Sequence, residues 1–70
     1  MSYEKKIEFY KNEISDSFNI IADYNLKIRN SFELEEIRIF KKIIANNEAI
    51  IKLCYENIAT CEYIIRGLNN

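Results

Sequence analysis

The side chains here that could do chemistry are two cysteines, five tyrosines and a knot of cations, with no histidine in 70 residues. Cys54 and Cys61 lie seven positions apart, about 10.5 Å along a helix, whereas a disulfide needs Cα atoms within about 7 Å. Within one helix they cannot bridge. They read as buried thiols acting as small hydrophobes in a reducing compartment. An intersubunit disulfide or a shared metal site is the sharper alternative, and the metal case lacks both a histidine and a close cysteine pair. No resident metal or cofactor is expected.

Lys27, Arg29, Arg38, Lys41 and Lys42 are half of the chain's 10 Lys and Arg residues. Lys27 and Arg29 suit a helix C-terminus, Arg38 can pair with Glu35, and Lys41 can pair with Glu48 across a helical interface. The functional alternative is an anion site in which Tyr24 stacks on a base and Arg29, Arg38 or Lys42 grips a phosphate. Tyr3, Tyr10 and Tyr24 share one helical stripe, either as core packing with hydroxyls at a wet rim or as the lining of a slot between subunits. Catalysis has little support: there is no Cys-His or Ser-His pair, no Glu-x-x-His and no charge in either main stripe. The chain reads as a non-enzyme. With 10 cationic against 11 anionic residues and a net charge of −1, no general field draws it to nucleic acid or an anionic membrane.

The elements that must position these groups are two helices. From Ile37 onward isoleucine recurs every seven residues, at Ile37, Ile44, Ile51, Ile58 and Ile65, interleaved with Phe40, Asn47, Cys54, Cys61 and Leu68. Such a pattern is the seam of a coiled coil or bundle helix. The same grammar appears earlier, with Ile7, Ile14, Ile21 and Ile28 interleaved with Tyr3, Tyr10, Ser17 and Tyr24. Phe18 and Ile20 widen that stripe toward the broader face of a bundle. Ser2 is the expected N-cap of helix one, with Glu4 near its positive end.

The phase breaks once, between Ile28 and Ile37, so a short turn belongs there and the helices return antiparallel. Asn30 with Glu33 reads as a variant capping box. Helix one is expected over about residues 3–29 and helix two over about 31–66, with Gly67 as a left-handed stop and Asn69–Asn70 as a frayed tail. Asn46 and Asn47 could mark a second turn, but Ile44 and Ile51 keep the phase across them and favour one continuous helix. The expected fold is a single all-α domain, residues 1–70: an antiparallel hairpin with a long second helix.

Counting back from the turn sets Tyr3 beside about Ile58, which leaves Cys61, Ile64, Ile65 and Leu68 without a partner in their own hairpin. Further apolar residues lie off the main seam of helix two, Ile43, Ile50 and Ile64 on one side and Ile39 and Leu53 on another, so the helix reads as buried on more than one face. Both features point to a homo-oligomeric four-helix or larger bundle whose interface is built on Ile51, Cys54, Ile58, Cys61, Ile64, Ile65 and Leu68. Asn47 is either a surface amide or, with Ser17, a buried polar layer that sets register.

There is no apolar leader after Lys5 and Lys6 and no apolar run long enough to span a bilayer, so a cytoplasmic location is expected. The wealth of Ile, Asn, Lys, Tyr and Phe suits AT-rich coding, as in a low-GC bacterium or its phages. The leading expectation is a small homo-oligomer that binds another protein as an inhibitor, adaptor or regulator. The alternatives are a protein sequestering an anionic, nucleotide-like small molecule between subunits, and a structural subunit of a larger assembly.

Overall fold

The computed structural model describes residues 1–69 and shows two helices, α1 (Tyr3–Arg29) and α2 (Leu34–Leu68), folded back on each other. They form an all-helical hairpin with extents of 57 × 16 × 14 Å. Asn70, assigned from sequence to the tail, lies outside the described residues.

α1 starts where the cap residue allows. The Ser2 hydroxyl accepts from the Lys5 backbone N–H at 3.2 Å, satisfying one donor that the first turn leaves open. Glu4 occupies the first turn, while Lys27 and Arg29 occupy the last, each complementing the helix dipole. The chain then turns through residues 30–33, held by the Asn30 and Ser31 N–H groups donating back to carbonyls of the last turn of α1.

The start of α2 differs from the expectation. Helix two begins at Leu34 rather than Ser31, and its N-cap is Glu33, which makes no side-chain cap bond. The capping box between Asn30 and Glu33 does not form, because the Ser31 hydroxyl takes over this corner. It accepts from the Glu33 N–H at 3.4 Å and donates to the Glu36 carboxylate at 2.9 Å. Phe32 is left pointing into solvent at 97% exposure.

α2 is continuous through Asn46 and Asn47. The Asn47 side chain donates to the Ile43 carbonyl at 2.8 Å, so the amide is satisfied on its own helix and needs no turn. At the far end Gly67 is not a left-handed stop: it lies inside the helix, no glycine has positive φ, and the helix closes at Leu68.

The core is the heptad seam. Ile14 packs with Ile51, Cys54 and Ile58, and Ile7, Tyr10 and Ile21 pack against them. Burying an isoleucine contributes about 1.5–3 kcal/mol, so this row is what holds the hairpin closed. It is one layer deep, and among the described residues no large side chain falls below 2% exposure.

The pairing runs further along α2 than the count from sequence allows. Tyr24 meets Phe40, but Ile7 faces a hollow lined by Glu62, Ile65 and Arg66, well past Ile58. Residues 31–33 use up sequence without advancing down the helix, so each α1 residue faces a higher number on α2. Cys61 is therefore not left over: it is 5% exposed, among the most buried residues of the single chain. Ile64 and Ile65 are half-buried, and the overhang shrinks to Leu68, 73% exposed. No helix of the described residues is long and apolar enough to cross a membrane.

Candidate functional site

In an antiparallel pair the position following each second seam residue points to the same flank from both helices. On α1 that position after Ser17 is Phe18, and on α2 the position after Cys54 is Tyr55. The two aromatics are about half exposed, at 52% and 55%, and they wall an open hollow. Ile21 and Ile51 form its apolar base, with Glu48, Lys52 and Glu56 at its edge, and its volume is about 560 Å³. Apolar walls with a few charges at the margin suit the insertion of one or two apolar side chains. Two carboxylates against one ammonium leave that margin net anionic.

Phe18 was legible from sequence as a widening of the apolar stripe, but Tyr55 was missed. The signal was there: an aromatic at the corresponding heptad position on the other helix faces the same flank once the chain folds back.

The residues suggested for anion binding lie elsewhere. The Tyr24 ring sits 5.4 Å from the Phe40 ring, centroid to centroid, and carries the Lys27 ammonium over its face at 4.4 Å. Its stacking surface is thus already engaged. Arg38 is paired with Glu35 at 3.1 Å, the two side chains being 73% and 81% exposed, which makes this a surface ion pair of small energetic weight. Arg29 and Lys42 are exposed. None of Tyr24, Arg29, Arg38 and Lys42 lines either hollow.

Of the residues suggested for an oligomer interface, Ile51, Cys54, Ile58 and Cys61 are buried in the seam between α1 and α2. Their apolar surface is covered within one chain. Ser17 and Asn47 are buried too, at 4% and 8%, with the Asn47 amide bound to its own helix rather than across the seam.

Both cysteines are free thiols in this buried row. Burial pushes the Cys54 thiol above its usual 9.0, and the carboxylate of Glu13 pushes it the same way. A thiol held protonated is a poor nucleophile and a poor metal ligand. Among the described residues no group of three or more His, Cys, Asp or Glu is arranged to hold a metal ion. Comparison with protein families, with curated proteins and with solved structures finds no significant match to this chain.

Proposed function

We propose that this chain is a homo-oligomeric helical protein that acts by binding another protein, with apolar side chains of the partner entering the hollow between Phe18 and Tyr55. The observation that carries the reading is this pair of large, half-exposed aromatics facing each other across two packed helices. Aromatic residues at a rim of mixed charge are what protein interfaces use as anchors, and exposing them to water without a partner is unfavourable. The groove between two helices accepts a third helix most readily, read through apolar anchors at i, i+3 or i+4, and i+7. The anionic margin of Glu48 and Glu56 favours a partner with Lys or Arg beside those anchors. The anion-sequestering alternative has no comparable support, since Tyr24 already packs on Phe40 and Lys27 and none of its residues lines a hollow.

Selection of a displayed random-peptide library against the intact protein tests the reading, with Phe18→Ser and Tyr55→Ser variants as counter-selectors. The expected outcome is enrichment of amphipathic helical sequences bearing basic residues, with binding weakened tenfold or more, about 1.4 kcal/mol, by either substitution. Enriched peptides indifferent to both substitutions would move the site elsewhere. No enrichment at all would argue against peptide recognition.

A further inference from the structure

Besides the seam that packs on α1, α2 carries a second stripe about a quarter turn away, with the same alternation of four and three residues. It begins at Ile39 and ends at Ile64. Ile39, Ile50 and Leu53 on it are 54%, 39% and 58% exposed, and Ile43 and Ile64 are half-buried. A helix with two heptad stripes is built to pack on two neighbours, and within one chain α2 has only α1.

The stripe is a palindrome of residue character. Laid antiparallel on a copy of itself, with a two-fold axis between Ile50 and Leu53, it matches Ile50 with Leu53, Asn46 with Asn57, Ile43 with Thr60 and Ile39 with Ile64. Amide meets amide, and the other three pairs are mainly apolar. The Thr60 hydroxyl already donates to the Glu56 carbonyl at 3.1 Å, so it requires nothing from across the interface. The same pairing sets Lys42 of one copy beside Tyr63 of the other, where an ammonium is favoured over the ring. A parallel pairing would match any sequence to itself and would leave the palindrome unexplained. The antiparallel one also opposes the two helix dipoles.

The hairpin exposes 5595 Å², about 1,000 Å² more than a compact monomer of 8.4 kDa, as its elongated form requires. A standard interface takes about 800 Å² from each partner, and the long side of α2 has surface enough to supply it.

We infer that the Ile39–Ile64 stripe of α2 docks a second copy of this chain, antiparallel about a two-fold axis between Ile50 and Leu53. The inference rests on the oligomeric half of the proposed function and names the face and symmetry that build it. The hollow at Phe18 and Tyr55 lies on the other flank and stays open in this dimer.

Light scattering after size exclusion, over a hundredfold dilution, tests it on the wild type, on Ile50→Glu, and on Ile50→Glu combined with Leu53→Lys. The wild type is expected to be a dimer. The single variant sets an unpaired glutamate against an apolar partner and is expected to raise the dissociation constant about a hundredfold or more. The double variant restores the dimer only if position 50 meets position 53 of the other copy. A parallel pairing would oppose like charges and stay apart. Circular dichroism follows the fold, so a single variant that loses helicity still supports the inference if the double variant regains both helicity and mass. A dimer indifferent to both changes, or one that the second substitution does not rescue, overturns this face and symmetry and leaves an oligomer standing. A wild type that is monomeric at every dilution overturns the inference and the oligomeric half of the proposed function together.

Discussion

Cys54 shows how a single residue here takes its character from its neighbours. A thiol is neutral when protonated, and burial together with Glu13 makes the folded state hold that proton more tightly than the unfolded chain does. Both states are protonated well below 9.0, the ordinary thiol value, so no stability is lost there. As pH climbs through that value the unfolded thiol ionises first, and the folded state loses ground. Urea midpoints taken near pH 8 and pH 10 should therefore fall further in the wild type than in Cys54→Ala. Equal losses would mean that Cys54 does not contribute to the alkaline transition. Asn47 makes the complementary point: its burial follows from heptad spacing, but its partner does not. Whether an amide bonds its own backbone or reaches across a seam is decided by its rotamer, which spacing does not encode.

At the scale of the element, Gly67 offers a direct check on where α2 ends. It lies within the helix at negative φ, and a Cβ built there meets nothing within 4 Å. Gly67→Ala should raise stability by up to about 0.5–1 kcal/mol, diminished by fraying so near the terminus. A destabilising alanine would restore the left-handed stop that the sequence suggests. The existence of both helices and their shared seam was legible because isoleucine at every seventh position can face one way only on a helix. The ends were not legible, because Ser31 has two uses and tertiary geometry chooses between them. It could open the helix, or it could tie Glu33 and Glu36 into a corner, as it does. That choice shifts the pairing along α2, and the shift is why Cys61 is covered by its own hairpin. The Phe18–Tyr55 hollow was half legible for the same reason: one wall showed in the stripe, and the other needed the register.

For the whole molecule the question is whether so thin a core can stand alone. The buried apolar row is five residues, Ile14, Ile51, Cys54, Ile58 and Cys61, spread along a body 57 Å long. In a chain of this size a single core rarely supplies more than about 3–5 kcal/mol, and a partner is one way to add to it. A second copy packed along α2 would convert exposed isoleucine and leucine into a second core and make folding and assembly one transition. Such a transition depends on concentration, because dissociation into unfolded chains is favoured by dilution. A hundredfold increase in protein shifts the balance by about 2.7 kcal/mol per dimer. Spread over an unfolding entropy of about 2.1 cal/mol/K per residue in two chains, that raises the thermal midpoint by about 9 °C. Calorimetry at two concentrations a hundredfold apart would read this directly. A midpoint that stays fixed would mean that dissociation is not coupled to unfolding over that range. In a dimer that persists, the exposed stripe of α2 would then lie outside the cooperative core, and in a monomer the seam with α1 would carry the stability alone.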